Sequence, residues 1–143
     1  MIKYIQGDLL KTDAPLILHQ VNLQGVMGGG LAYSIARKYP SVEREYSRFR
    51  GSLGDVLYCE TDDFIIGNCY SQNEDFTTNY EALAECLLDV RYYMLQHEIY
   101  RVAIPYKYGC GIASGDWETV EDIFKRVLDT FDDLQILIYK LGD

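Results

Sequence analysis

Positive charge is scarce in this sequence. It has 13 Lys and Arg residues against 22 Asp and Glu residues, so its formal net charge at pH 7 is −9. A protein that binds along a nucleic-acid backbone needs clustered basic side chains, and the sequence contains no basic run. We therefore expect no stable nucleic-acid binding. If the ligand is an anion, backbone amides and helix ends must hold most of it.

Long apolar runs are also absent. The apolar runs that do occur, such as Phe64–Ile66 and Ile136–Tyr139, are far shorter than the roughly 20 residues that cross a bilayer as a helix. The N-terminus lacks the basic start and the apolar stretch of a signal peptide. The sequence thus predicts a cytoplasmic protein with no membrane partner.

Cysteine is infrequent and scattered. No two cysteines form a C-x-x-C pair, so we expect neither a disulfide framework nor a zinc site. No His, Asp and Glu residues are grouped at ligand spacing, and we expect no metal and no other cofactor. The cysteines are Cys59, Cys69, Cys86 and Cys110.

The 143 residues fit one domain, residues 1–143, a size that buries about 70% of the unfolded surface. Apolar runs that suit strands alternate with amphipathic segments that suit helices. We expect an α/β fold, a three-layer α/β/α sandwich around a mixed, mostly parallel central sheet. The predicted strands are Met1–Ile5, Pro15–Val21, Asp55–Glu60, Phe64–Tyr70, Arg101–Tyr106 and Gln135–Leu141.

Helix signals lie between these strands. Thr78 and Glu81 form a capping-box pattern, which predicts that a helix starts after Thr78. Asp116 suits the N-cap of the last helix, whose apolar residues recur at spacings of three and four. The other predicted helices are Leu31–Lys38, stopped by Pro40, and Val42–Phe49.

The first of two glycine-rich loops, Asn22–Gly30, lies between a strand and a helix. Its three consecutive glycines, Gly28–Gly30, carry no Cβ, so the backbone can approach a ligand and direct N–H groups at a phosphate. The spacing is not G-x-G-x-x-G, since Tyr33 stands where the last glycine is needed, and no P-loop Lys follows. A flexible connector is the alternative to an anion site.

The second glycine-rich loop, Gly109–Asp116, also follows a strand and precedes a helix. Its Gly-x-Gly turn can offer further amides to the same ligand. Cysteine phosphatases place an Arg six residues after the nucleophile, where this chain has Asp116, so we interpret Cys110 as a small loop residue. Asp116 is either a helix cap or a catalytic acid.

Five short motifs follow one another along the chain. They are Gly7-Asp8-Leu9-Leu10, His19-x-x-Asn22, Gly28-Gly29-Gly30-Leu31-Ala32, Ile104-Pro105 with Gly109-Cys110-Gly111, and Ile138-Tyr139 in the last strand. In this order they resemble the macrodomain family over essentially the whole chain. Within the family they are similar to ADP-ribose 1''-phosphate phosphatases, and also to macrodomains that remove ADP-ribose from glutamate or from DNA bases.

The resemblance implies a binding role for particular residues. Asp8 would accept a hydrogen bond from the adenine amino group beside the Leu9 amide, and Tyr139 would pack on the ring. The second loop would wrap the diphosphate, and the first would surround the distal ribose. The expected ADP-ribose-binding residues are Asp8, Leu9, Asn22, Met27, Gly28, Gly29, Gly30, Gly109, Cys110, Gly111, Ile112 and Tyr139. A solvated turn is the alternative for Asp8 and a core aromatic for Tyr139.

The resemblance also implies hydrolysis at the distal ribose, with the 1''-phosphate ester as the first substrate and an ADP-ribosylated macromolecule as a possible partner. His19 or Asp116 would transfer a proton, and Asn22 would orient the ribose hydroxyls. A structural role in the core is the alternative for His19.

One departure from the family bears on this activity. The glutamate- and DNA-directed hydrolases pair a lysine with an acid, where this chain has Ser71-Gln72 and Ala113. This absence favours the rival hypothesis, a reader module that binds ADP-ribose without turnover. A sensor of a nucleotide signal is a third hypothesis.

Overall fold

Six strands form one sheet. A computed structural model describes residues 1–142, and Asp143, the last residue of the expected domain, lies outside them. The strands are β1 Ile2–Gln6, β2 Leu16–Val21, β3 Val56–Glu60, β4 Ile65–Tyr70, β5 Arg101–Pro105 and β6 Gln135–Lys140. Their order is β1-β6-β5-β2-β4-β3, and every neighbouring pair is parallel except β3 with β4. The expected mixed, mostly parallel sheet is confirmed.

Helices cover both faces of the sheet, so the three-layer prediction is confirmed as well. The helices are α1 Gly30–Lys38, α2 Pro40–Arg48, α3 Tyr80–Gln96 and α4 Trp117–Ile123. Leu16 and Leu18 of β2 pack in one apolar cluster with α3 and α4, and Ile17 and Val21 pack in the other with α1 and α2. Alternate side chains of one strand thus supply two cores. None of the helices within residues 1–142 is long and apolar enough to cross a membrane.

The start of α3 differs from the prediction. Its N-cap is Asn79, whose Oδ1 accepts a hydrogen bond from the Ala82 N–H at 2.9 Å, so the predicted Thr78 cap is wrong. Thr78 instead donates its hydroxyl to the Gly109 carbonyl at 2.6 Å. This bond joins residues 31 positions apart, and a local capping pattern carries no information on it.

The last helical segment begins as predicted and ends differently. Asp116 caps α4 by accepting a hydrogen bond from the Thr119 N–H at 3.1 Å. The apolar period predicts a helix as far as Phe131, but α4 gives way to a π-helical turn at Phe124–Leu128. Both Phe124 and Leu128 are buried there, so the apolar face persists through the change of helix type.

Candidate ligand-binding cleft

A continuous cleft runs along the edge of the sheet at which the parallel strands end. It has three connected parts, with volumes of about 620, 420 and 190 Å³. We call them the Asp8 end, the middle and the Asn22 end. The Asp8 end and the middle share Gly30, Leu31, Pro105 and Tyr106, and the middle and the Asn22 end share Gln20, Gly29, Ala32, Gln72 and Ile112.

The Asp8 end is built where β1 and β6 finish. Asp8 caps a 3-10 turn, Leu9–Lys11, by accepting a hydrogen bond from the Leu10 N–H at 3.0 Å through Oδ1. No hydrogen bond among residues 1–142 engages its other carboxylate oxygen. Tyr139 is half-buried, with its hydroxyl 2.7 Å from that of Thr12. Asp8, Leu9 and Tyr139 all line this end, so the structure brings these three predicted residues together.

Asn22 organises the first loop from within. Its Oδ1 accepts a hydrogen bond from the Gln24 N–H at 3.0 Å, and its backbone carbonyl and Oδ1 share the Tyr46 hydroxyl proton, at 2.5 and 2.6 Å. Its Nδ2 donates to the Val26 carbonyl at 2.8 Å. Burial raises the pKa of Tyr46 to about 12, so this hydroxyl stays protonated and donates. Asn22 borders the Asn22 end, but most of its hydrogen-bonding capacity is used inside the protein.

The triple glycine forms the start of α1. Gly29 is the N-cap and Gly30 is the first residue, so the first N–H groups of the helix, which have no intrahelical partner, lie at the cleft wall. A Cβ on Gly29 would meet no atom within 4 Å. Gly30 has a φ of +56°, a conformation that favours glycine. Gly28 and Met27 line the Asn22 end, Met27 with only 3% of its surface exposed.

Gly109 holds the second loop in place through hydrogen bonds to its carbonyl oxygen. Its carbonyl accepts hydrogen bonds from the Gly115 N–H at 2.9 Å and from Thr78. Gly109 has a φ of +70°, and a Cβ there would lie 2.8 Å from the Thr78 hydroxyl oxygen. Gly109, Gly111 and Ile112 line the middle, and Ile112 is 92% exposed.

The Cys110 side chain does not line the cleft. It packs against the core on the α4 side, and its thiol donates to the Tyr108 carbonyl at 3.2 Å. Burial, together with the charge of Asp116, raises the pKa of the thiol. Both observations support the interpretation of Cys110 as a loop residue, because a nucleophilic cysteine needs a lowered pKa.

His19 is buried beneath the middle of the cleft with 2% of its surface exposed. Its Nε2–H donates to the Asn68 Oδ1 at 2.7 Å, since the Asn68 amide nitrogen already donates to the Leu57 carbonyl at 2.8 Å. Burial lowers the pKa of His19 to about 4, although the Asn68 hydrogen bond opposes this effect. The ring is therefore neutral at pH 7, and Nδ1 is an acceptor.

Asp116 lies away from the cleft lining. Its carboxylate accepts hydrogen bonds from the N–H and the hydroxyl of Thr119, at 3.1 and 2.8 Å. Its own N–H donates to the Tyr80 hydroxyl at 2.9 Å. The cleft thus brings together His19 and Asn22, but not the third candidate catalytic residue.

Two glutamines that we did not assign from the sequence form the floor. Gln20 donates to the Ser71 carbonyl at 3.1 Å and to the Thr78 hydroxyl at 3.2 Å. Gln72 donates to the Gln20 Oε1 at 3.1 Å. Both line the middle and the Asn22 end. The sequence did contain one signal for Gln20. It follows His19 near the end of a predicted strand, at the edge of the sheet where such folds bind ligands.

Comparison with known proteins finds relatives that match nearly the whole chain. No protein-family model matches it. The chain is 30% identical to an ADP-ribose 1''-phosphate phosphatase of Lodderomyces elongisporus, over 96% of this chain and 97% of that protein. It is 28% identical to a DNA ADP-ribosyl glycohydrolase of Mycobacterium tuberculosis, over 97% of this chain but only 42% of that longer protein.

The solved structures agree with these relatives. The macrodomain of Mycobacterium tuberculosis DarG superposes with a TM-score of 0.88 and 27% identity, covering 99% of both chains. The fold is thus that of an α/β macrodomain. The chain belongs to the macrodomain family.

Proposed function

We propose that this protein binds ADP-ribose or a close derivative in the cleft. The observation that carries the proposal is that one continuous cleft joins two glycine-rich loops at the carboxyl ends of parallel strands, where such sheets bind ligands. In a chain of net charge −9, amides at a helix start are the principal means of holding a diphosphate.

The three parts of the cleft match the three groups of ADP-ribose in order. The adenine lies at the Asp8 end, where the free carboxylate oxygen accepts from its amino group and Tyr139 packs against the ring. The diphosphate lies in the middle, between the amides of Gly109–Ile112 and the start of α1. The distal ribose lies at the Asn22 end.

Hydrolysis at the distal ribose is the activity that this placement supports. With ADP-ribose 1''-phosphate, water attacks phosphorus, the bond to the 1''-oxygen breaks, and a proton passes from the water to the sugar oxygen. His19 lines the middle and not the Asn22 end, so its neutral Nδ1 could accept a proton from the distal ribose site only through a water between these two parts. At pH 7 its ring carries no extra proton to donate as an acid. Asn22 holds the loop around the ribose, and Asp116 is not among the residues that line the cleft.

Release of phosphate from ADP-ribose 1''-phosphate tests this activity. His19→Gln is expected to leave ADP-ribose affinity within about 1 kcal/mol and to slow turnover by roughly 100-fold. His97→Gln, which changes the other histidine at the exposed end of α3, is the matched control and should keep full activity. Full activity in His19→Gln would exclude the proton transfer, and Asp116→Asn would then be the next variant to assay.

A reader module without turnover is the second candidate. The observation in its favour is that His19 and Asn22 are engaged in hydrogen bonds inside the protein, while Asp116 lies outside the lining. A reader binds ADP-ribose and releases no product from any substrate after prolonged incubation. Turnover above the level of a Gly29→Glu variant would reject this candidate.

The surroundings of the Asn22 end bear on the substituent that is removed. Among residues 1–142, no charged side chain lines this end, and its rim is apolar, with Val26 59%, Phe76 44% and Ile112 92% exposed. An uncharged acceptor on a modified macromolecule fits this rim, whereas a 1''-phosphate would depend on amide groups without a cationic partner. Parallel assays with ADP-ribose 1''-phosphate and with ADP-ribosylated protein and DNA decide between them. A cytoplasmic location remains a prediction.

A further inference from the structure

Two lysines converge on one aromatic ring at the mouth of the cleft. The Nζ atom of Lys140 lies 5.2 Å from the centre of the Tyr106 ring, and that of Lys107 lies 5.6 Å from it. Trp117 and Tyr4 support the ring by edge contacts, with centroid distances of 5.2 and 6.2 Å. Within residues 1–142, neither ammonium group forms a salt bridge with a carboxylate. Two positive charges without a carboxylate partner among the described residues thus lie together beside the cleft.

The position of Tyr106 relates the lysines to one part of the ligand. Tyr106 and Pro105 border both the Asp8 end and the middle. In the proposed function, on which this inference rests, the adenine occupies the first and the diphosphate the second. The sugar that joins them, the adenosine ribose, therefore lies against Tyr106, with the two lysines beside its hydroxyls.

Lys140 does not belong to the diphosphate site. It lines the Asp8 end but not the middle, whereas Lys107 lines the middle. The diphosphate has the amides of both glycine loops as partners, so a cation on the adenosine side has no anion to neutralise in ADP-ribose itself. The Asp8 end also has a volume of about 620 Å³, within the range of about 300–1,000 Å³ that holds an entire drug-sized ligand.

We propose that the Asp8 end receives a derivative of ADP-ribose that carries an additional phosphoryl group on its adenosine ribose. Lys140 and Lys107, which both lie over the Tyr106 ring, bind this group. The ligand class is a nucleoside diphosphate sugar phosphorylated at the 2'-position, and the extra phosphate is recognised as charge, which suits flexible lysines.

Titration calorimetry with ADP-ribose and with 2'-phospho-ADP-ribose tests the proposal. At low salt the native protein is expected to bind the phosphorylated ligand roughly fivefold to tenfold more tightly, the size of two exposed ion pairs. Lys107→Gln/Lys140→Gln should remove this preference, and Lys140→Gln alone should reduce it while leaving ADP-ribose affinity within about twofold, because Lys140 does not line the middle. In 1 M salt, where the Debye length is about 3 Å, the preference should also disappear.

Lys125→Gln/Arg126→Gln is the matched control, because it removes the same charge from exposed positions of the π-helical turn. It should keep the preference. Equal binding of both ligands by the native protein would overturn the inference, and so would a lysine variant that weakens both ligands equally. If ADP-ribose itself failed to bind, the proposed function would be wrong, a result distinct from a missing preference.

Discussion

The two ends of the cleft use their polar side chains differently. Asp8 uses one carboxylate oxygen to cap a turn and has the other available to a ligand. The amide oxygen of Asn22 accepts hydrogen bonds from Gln24 and Tyr46, and its amide nitrogen donates to Val26, so both atoms are used inside the protein. The rim beside Asn22 is apolar and exposed, as Ile112 illustrates.

This difference suggests how each end contributes to recognition. The Asp8 end has a hydrogen-bonding group to offer, and in the proposed function this group selects the nucleobase. The Asn22 end has a loop that is already ordered by internal bonds, so it selects by shape and requires little ordering when the ligand arrives. Substitutions at the two ends should therefore fail for different reasons.

The largest effect is expected from a change of shape and charge in the first loop. Gly29→Glu places a carboxylate beside the diphosphate, and like charges about 4 Å apart repel by roughly 4 kcal/mol at an effective dielectric of 20. The fold should be unaffected, because Gly29 has an extended φ of −158° and open space at its Cβ position. Calorimetry should show no binding, at an unchanged melting temperature.

Gly29→Ala is the control for that variant. Its methyl group meets no protein atom within 4 Å, so both stability and affinity should stay close to those of the native protein. Retained binding by Gly29→Glu would show that this loop does not contact the anion.

The Asp8 end should respond through hydrogen bonding. Asp8→Ala is expected to cost about 1.5–3 kcal/mol of ADP-ribose affinity, the size of a hydrogen bond to a charged group. It should also lose about 1 kcal/mol of folding free energy, because the cap to Leu10 is removed. Asp8→Asn keeps an oxygen for the cap, so it should weaken binding without lowering stability. Unchanged affinity in both variants would remove Asp8 from the site.

His19 should affect stability in a pH-dependent way. Its pKa is about 4 in the folded protein against 6.5 in the unfolded chain, so between these values the unfolded chain binds more protons and stability falls as pH falls. Between pH 7 and pH 5 the loss from this residue is about 2 kcal/mol. Urea unfolding at both pH values should show this loss in the native protein and in His97→Gln, but not in His19→Gln. Identical pH dependence in all three would mean that His19 is not held neutral by burial.

The smallest expected effect is a difference in stability between substitutions at two glycines of the second loop. Gly109→Ala puts a Cβ at a φ of +70° and 2.8 Å from the Thr78 hydroxyl oxygen, which should lower the free energy of unfolding by about 1–2 kcal/mol. Gly111→Ala meets nothing within 4 Å and should be close to neutral. Chemical unfolding of the two variants measures the difference. Equal stability of the two variants would show that the positive φ of Gly109 and its close approach to Thr78 do not require glycine.

Much of the fold could be predicted from local patterns. Apolar runs such as Pro15–Val21 predicted the strands because burial on both faces requires continuous hydrophobicity. The glycine loops were placed correctly because few residues other than glycine suit a backbone that turns directly into a helix beside a ligand. The Thr78 cap was wrong because Asn79, one residue later, offers a competing side chain and Thr78 has a partner in the second loop.

The cleft was less predictable than the fold. Gln20 and Gln72 have no motif around them, and their bond joins β2 to the segment after β4 across 52 positions of sequence. The position of Asp116 outside the cleft lining could not be predicted either, because a helix cap and a catalytic acid look alike in a sequence.

By itself, the sequence determined the period of the helices and strands, the places where the chain turns, and the excess of acidic over basic residues that makes backbone amides important for holding an anion. These depend on neighbouring residues and on composition. Only the tertiary structure decided which polar groups remain available to a ligand. His19 is neutral because folding brings Asn68, 49 positions away, to its Nε2 and removes water from its ring. Hydrogen-bond partners and burial depend on contacts between distant segments, and those contacts exist only once the sheet has formed.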